Sequence, residues 1–316
     1  MAGWSLDISR AWFRMCLPDL EYGEIEIPMY PFTAHPRLLP HQYSELCSFL
    51  EKISGIVLGE GKEHLISSRI GKVLRDYRLD SFSELLRAIQ SDDNMPLRMA
   101  VIDAMTTKEA NWFRDQSHFM MLQNVMTERA GELGAFRIWS AACSLGQEPY
   151  SIAMTIEEYR RGSRFFRRPV EVVATDLSEG IIADARKGVY CSLSMVQGLS
   201  DEQRKKYFIP NGDCSEMRPD LRKMVSFRKL NLLDSFAPLG RFDVIFCRSA
   251  LVYFSLANRV DVIKRMAVAL KPYGYLFLGA GETLEDGDGL FEKAVWPEGI
   301  AYRLKPLRRV NPESVK

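Results

Sequence analysis

The spacing of hydrophobic residues changes period once along the chain. From Gln42 to Ile53, Tyr43, Leu46, Phe49, Leu50 and Ile53 recur at helical intervals, while Glu45, Glu51 and Lys52 occupy the opposite face. Gly55 is placed to close that helix. A second helix is predicted over His64 to Tyr77, with Leu65, Ile66, Ile70, Val73 and Leu74 on one face and Arg69, Lys72, Arg75 and Asp76 around the rest. Ser81 to Ile89 and Pro96 to Met105 read as a third and a fourth. These four elements predict a compact helical domain over residues 37–105. Residues 1–36 stand apart: Trp4, Trp12, Phe13 and Met15 lie among polar residues, and Pro18, Pro28, Pro31 and Pro36 break any long element, so a loosely ordered extension is expected.

Past Trp112 the pattern becomes short β-rich runs alternating with amphipathic stretches. Strands are predicted at Phe136 to Ser140, Val170 to Ala174, Met224 to Leu230, Phe242 to Cys247, Tyr275 to Leu278 and Ile300 to Leu304. Helices are predicted at Pro149 to Arg160, Ser178 to Lys187 and Arg259 to Leu270. Such alternation implies a parallel sheet joined by right-handed crossovers. This α/β domain is placed at 106–308, followed by a tail at 309–316. Gly188 to Asp220 is turn-rich and too long for an ordinary βα loop, so it reads as an insertion.

Composition narrows the classes. Among 316 residues, 42 basic groups face 41 acidic ones, which argues against a nucleic-acid protein, since phosphate neutralisation needs a concentrated basic surface. The cluster Arg160, Arg161, Arg164, Arg167 and Arg168 is read as a solvated helix end. Six cysteines are scattered without a Cys-x-x-Cys pair and only four histidines join them, so neither a zinc site nor a disulfide framework is expected. No apolar run approaches the roughly 20 residues of a membrane span, and no signal peptide opens the sequence. A reducing, cytoplasmic protein without membrane insertion is the expectation.

The densest chemistry lies in Arg137-Ile-Trp-Ser-Ala-Ala-Cys-Ser-Leu-Gly-Gln-Glu-Pro-Tyr-Ser-Ile-Ala-Met154, a strand, a small-residue turn and a helix start with Pro149 at its first position. Doubly wound folds hold nucleoside-like cofactors at such turns, although a turn of this kind also serves packing alone. With a single glycine it lacks the Gly-x-Gly-x-x-Gly of a pyrophosphate cradle. Asp176, closing the next strand, occupies the place from which a carboxylate accepts ribose hydroxyls; the competing N-cap role can fall to Ser178. Asn231 and Asp234 follow a further strand and suit an adenine amine by donor and acceptor pairing, or form an ordinary turn. Arg248 and Ser249 end the run from Phe242, with Tyr253 about one helical turn later. Arg114, after Trp112 and Phe113, either grips a carboxylate with its planar fork or caps a linker helix.

Taken together, Ser54-Gly-Ile-Val-Leu-Gly59, Thr106 to Arg114, Ser140 to Ser151 and Phe246 to Phe254 resemble the chemotaxis receptor methyltransferase family, CheR, over about Tyr43 to Leu304. Lys187-Gly-Val-Tyr190, Tyr207-Phe208 and Asn231-Leu232 resemble further landmarks of the family. The resemblance implies a Rossmann-like class I methyltransferase sheet with a terminal antiparallel strand, an inserted small β-subdomain at about 190–227, and a preceding all-helical domain. It implies S-adenosylmethionine as cofactor, S-adenosylhomocysteine as product, and a monomer that methylates glutamates on the cytoplasmic domains of chemoreceptors. Carried over by position, cofactor contacts fall at Lys108, Ala110, Arg114, Ala142, Glu148, Asp176, Asn231, Leu232, Arg248 and Ser249, and the catalytic pair at Arg114 and Tyr253.

Four departures qualify the match. Lys108 and Ala110 replace the Asn and second Thr of the family's Thr-Thr-Asn-x-Thr-x-Phe-Phe-Arg, Gln147 replaces a common Glu, and Ser249 replaces the Asn after the arginine. Each lost polar contact is worth about 1 kcal/mol where its partner can rehydrate, so retuned activity is expected rather than none. The competing reading is a receptor-docking adaptor that binds the cofactor without transferring methyl.

Overall fold

The computed structural model describes residues 38–91, 93–106, 111–163, 166–191, 197–284 and 288–306. The N-terminal extension, Lys108, Ala110 and the tail lie outside the described residues.

Four helices open the described chain: α1 (Pro40–Ser54), α2 (Glu63–Asp76), α3 (Phe82–Gln90) and α4 (Met95–Met105). Pro40 stands at the first position of α1, and the Ser81 hydroxyl caps α3 by accepting from the Glu84 N–H at 3.2 Å. Their apolar faces meet in one core that includes Leu46, Leu50, Ile66, Ile70, Leu85 and Val101. Gly55 closes α1 in the left-handed region at φ 77°, and a Cβ there would lie 2.4 Å from the Phe254 ring. Two requirements therefore converge on glycine at one position.

Helix α5 (Ser117–Glu128) then leads into a seven-stranded sheet of order β6-β2-β1-β7-β8-β10-β9. Its strands are β1 (Phe136–Ala141), β2 (Val170–Asp176), β6 (Val225–Lys229), β7 (Phe242–Cys247), β8 (Leu270–Leu278), β9 (Phe291–Trp296) and β10 (Gly299–Leu304). The first five are parallel, and β10 runs antiparallel to both β8 and β9. Helices α6 (Gln147–Gly162), α7 (Glu179–Lys187) and α10 (Leu256–Ala269) make the crossovers. Residues of the central strands alternate between two cores. Val244 and Phe246 pack with Tyr150 and Ile152 of α6 on one face, whereas Ile245 and Cys247 pack with Val262 and Met266 of α10 on the other. Burial on both faces explains why β7 reads as an almost unbroken apolar run.

Between α7 and β6 the chain forms a second, antiparallel sheet of order β3-β5-β4, made of β3 (Val189–Cys191), β4 (Phe208–Asn211) and β5 (Cys214–Met217), with helices α8 (Asp201–Tyr207) and α9 (Pro219–Met224). Tyr190 fastens it to the main sheet, donating its hydroxyl to the Leu145 carbonyl at 2.8 Å and packing edge-on against Trp112.

Three expectations from sequence are corrected here. Cys191 and Cys214, register partners on β3 and β5, form a disulfide, so the expectation of no disulfide was wrong; 23 residues of separation give no local signature of a pairing created by the fold. Arg168 is buried rather than solvated: it bonds the Ala135, Gly134 and Arg129 carbonyls and pairs with Asp243, itself wholly buried on β7. Pro149 is the third residue of α6, not the first, because the helix begins at Gln147 after Gly146 at φ 93°. A missing N–H is equally harmless there, since none of the first four has an intrahelical partner.

Candidate active site at the carboxyl ends of the strands

The register sets Ala141 of β1 beside Thr175 of β2 and Cys247 of β7, so the carboxyl ends of three central strands finish level. Above them opens a cavity of about 440 Å³, within the range of small-molecule sites. Its far wall comes from the helical region through Ser54, Ile56, Leu58, Lys62, Leu65 and Arg69. Two polar ties hold that wall in place: Asn231 Nδ2 donates to the Ile53 carbonyl at 2.7 Å, and the Val57 N–H donates to the Tyr253 carbonyl at 2.7 Å.

Every site residue carried over by family position that lies within the described chain lines this cavity, namely Arg114, Ala142, Glu148, Asp176, Asn231, Leu232, Arg248, Ser249 and Tyr253. Asp234 is the exception among the wider candidates. It does not line the cavity, which leaves the adenine reading without support at that residue. Asn231 does line the cavity, but its amide is engaged by Ile53 on one side and by the Leu233 N–H at 3.0 Å on the other. That side chain ties the helices to the sheet edge.

Asp176 is nearly buried, and its carboxylate accepts the Ser144 N–H at 3.0 Å and the Ser178 N–H at 3.2 Å. Burial raises its pKa above the usual aspartate value, against the opposing pull of the Ser178, Ser144 and Leu177 amides and with a small push from Asp103. The N-cap of α7 is Ser178, whose hydroxyl accepts from Ile181, which leaves Asp176 turned to the cavity.

Arg248, 8% exposed, is the electrostatic centre of the floor. It donates to Glu148 at 2.9 Å, to Asp115 at 2.6 Å and to the Arg114 carbonyl at 2.5 Å, while Glu148 also accepts the Ser140 hydroxyl at 2.6 Å. For Asp115, burial raises the pKa but the hydrogen bond and charge of Arg248 outweigh it, and the net shift is downward. His118 reaches the Leu278 carbonyl through Nε2 at 2.7 Å, and its pKa is lowered by burial and then by Arg248. Cys143 and Cys247 are driven well above the ordinary thiol value by burial, so neither is a thiolate nucleophile. Arg114 is exposed and forms no ion pair with any described residue, and Tyr253 lines the same cavity at 40% exposure.

Five non-glycine residues in or beside the cavity adopt positive φ: Phe113, Asp115, Ala142, Ser144 and Ser249. Each costs on the order of 1–2 kcal/mol, and strain so concentrated marks a functional site. Ser144, one of the small turn residues, lines the cavity as its place after β1 suggests, whereas Asp115 and His118, together with the basic Lys62 and Arg69 in the helical wall, were not foreseen. An acid and a histidine directly after Phe-Phe-type aromatics at Arg114 were the available signal for Asp115 and His118.

A parallel sheet with a final antiparallel pair, and a cavity at its carboxyl ends beside a small-residue turn, define a Rossmann-like domain with a small-molecule site at the strand ends. Residues 108–300 match the family described as CheR methyltransferase, SAM binding domain, and residues 41–106 match CheR methyltransferase, all-alpha domain. The chain belongs to the CheR methyltransferase family. It is 44% identical over 262 residues to chemotaxis protein methyltransferase Cher2 of Pseudomonas putida, covering 81% of this chain and 95% of that protein. Chemotaxis protein methyltransferase 1 of Pseudomonas aeruginosa is 45% identical over 262 residues, with the same 81% and 95% coverage. Chemotaxis protein methyltransferase 1 of Vibrio cholerae is 41% identical over 266 residues, covering 84% and 97%. Among the described residues no helix is long and apolar enough to cross a membrane.

S-adenosylmethionine suits the cavity on this structure's own features. The Ser144 hydroxyl is buried in the wall with no partner among the described residues, and Asp176 presents a carboxylate beside it. Ile56, Leu58, Ile181 and Leu232 supply apolar surface for a planar base.

Proposed function

We propose that the protein transfers a methyl group from S-adenosylmethionine to the side-chain carboxylate of glutamates on the cytoplasmic domains of methyl-accepting chemotaxis receptors, releasing S-adenosylhomocysteine and leaving a glutamate methyl ester. The observation that carries this reading is a single cavity with a paired, buried polar floor whose lining also includes two exposed side chains, Tyr253 and Arg114, the latter without an ion pair among the described residues. When bound, the cofactor supplies an electrophilic methyl group on a sulfonium.

Asp176 and Ser144 suit the ribose hydroxyls, and Leu232 with Ile181 suits the base. Ala142, Glu148, Arg248 and Ser249 form the floor, where the single cation of Arg248 faces the two carboxylates of Glu148 and Asp115 and leaves the floor net negative, which suits a sulfonium. Lys108 and Ala110 remain candidate contacts by family position alone. A glutamate side chain, with a reference pKa of about 4.3, arrives ionised, and no general base is required of the protein. Arg114 is assigned to orient the incoming carboxylate, and Tyr253 to fix it by donating its hydroxyl. Alignment of this kind supplies at most about 7 to 11 kcal/mol, and exclusion of water adds to it.

The test is methyl transfer from labelled cofactor to a purified receptor cytoplasmic domain. Base-labile label that disappears when the receptor's acceptor glutamates are changed to glutamine supports the reading. Cofactor binding with no transfer to that domain overturns it in favour of an adaptor.

A further inference from the structure

The turn that follows β7 carries Arg248, Ser249 and, as the last residue of a short 3₁₀ segment (Leu251–Tyr253), Tyr253, yet Ser249 sits at φ 56°, a conformation a serine does not hold without support. The support comes from Glu282, 33 residues further on. Its Oε2 accepts the Ser249 N–H at 3.0 Å and the Gly279 N–H at 2.5 Å, and its own N–H donates to the Gly279 carbonyl at 3.0 Å. One carboxylate oxygen thus bridges the chain leaving β7 to the chain leaving β8. The approach is so close that a Cβ on Gly279 would lie 2.6 Å from Oε2, so glycine is the residue that admits the contact. On the other side of the same chain ends, Asp115 holds Arg248 at 2.6 Å and His118 holds the Leu278 carbonyl at 2.7 Å.

We infer that Glu282 is a positioning residue: its carboxylate clamps the left-handed turn at Ser249 and so keeps Arg248 and Ser249 in the cavity floor and Tyr253 in its lining. It acts through backbone amides and touches neither substrate nor cofactor. The inference rests on the proposed function for what the floor binds, and on geometry alone for the clamp.

Glu282→Ala, Glu282→Gln and Glu282→Asp in the full chain separate the possibilities through two readouts. Amide hydrogen exchange at Ser249 and Gly279 in the ligand-free protein reads the clamp itself. Titration with S-adenosylhomocysteine reads its effect on the floor. Glu282→Ala is expected to speed exchange at both amides about tenfold or more and to weaken product binding about tenfold, as loss of acceptors for buried donors requires. Glu282→Gln, whose amide oxygen can accept both N–H groups, is expected to stay within about threefold of the parent in both. Glu282→Asp keeps the charge but withdraws it by one methylene; it is expected to resemble Glu282→Ala in exchange and serves if the alanine variant does not fold. Unchanged exchange in Glu282→Ala or Glu282→Asp overturns the clamp, as does a glutamine variant as impaired as alanine. Failure of the parent protein to bind the product would count against the proposed function, while the exchange data still decide the clamp.

Discussion

Replacing Arg248 by methionine tests whether the cavity floor is an electrostatic unit. The guanidinium is 8% exposed and donates to two carboxylates and a backbone carbonyl. Removing one partner of a buried pair costs about 3–5 kcal/mol. Here the Glu148 and Asp115 side chains keep 17% and 27% of their exposure, which places the cost near the lower end. Arg248 Nε is buried without an acceptor, and losing that unsatisfied donor returns about 1 kcal/mol. Arg248→Met is therefore expected to lose about 2 to 3 kcal/mol of unfolding free energy at neutral pH, read by urea denaturation. The pH dependence fixes the cause. Burial raises the Asp115 pKa but Arg248 more than offsets it, so Asp115 contributes stability that is present above its unfolded value, about 3.9, and is lost as pH falls through the lower folded value. Without Arg248 that contribution is gone, so the gap between parent and variant should narrow as pH is brought down through about 4. A variant as stable as the parent at neutral pH, or a gap that widens on acidification, would refute the reasoning.

Tyr253→Phe is expected to lower the rate of methyl transfer about ten- to a hundredfold while leaving cofactor affinity unchanged, and Arg114→Ala to lower it as well. Full transfer rates in both variants, in a single-turnover assay, would remove the assignment. The lowered pKa of His118 means that the native state favours the neutral imidazole, so stability is present above about pH 6.5 and lost as pH falls through the lower folded value. In His118→Gln, whose amide can still donate to the Leu278 carbonyl, that loss should be absent from pH-dependent denaturation curves. Replacing Cys191 and Cys214 by alanine is expected to cost about 3 kcal/mol through the freed 23-residue separation, and thiol titration of the unfolded, unreduced protein should find two fewer reactive groups than after reduction.

Where hydrophobic period alone decides an element, the sequence was legible. The four helices of the N-terminal region and the strands β1, β2, β6, β7 and β10 fall within a few residues of their expected places, because amphipathic helices and doubly buried strands imprint their periods directly. Helix α5 escaped because His118, Phe119, Met121, Leu122, Val125 and Met126 are buried, leaving a narrow polar face. Strand β9 escaped because it is an edge strand with Glu292, Lys293 and Val295 exposed, so no alternation survives. Asp176, Asn231, Arg248 and Ser249 were legible as points at strand ends, since such folds bind ligands there, whereas the site roles of Arg114, Ala142, Glu148 and Leu232 came only from the family resemblance. The partners of these side chains were not legible. Glu282, Asp115 and Ile53 meet Ser249, Arg248 and Asn231 across 33, 133 and 178 residues of chain. Only folding brings them together. The disulfide belongs with them, since its cysteines face each other only once β3 pairs with β5.

If one cavity, at the carboxyl ends of β1, β2 and β7, holds the methyl donor, Asp176 is the side chain on which binding should depend. Calorimetric titration of the purified protein with S-adenosylhomocysteine, beside Asp176→Ala, measures it directly. Saturable one-site binding is expected of the parent and at least about tenfold weaker binding of the variant, the loss expected of hydrogen bonds to a charged group. No measurable heat from the parent, or equal affinity in the two proteins, would contradict that expectation.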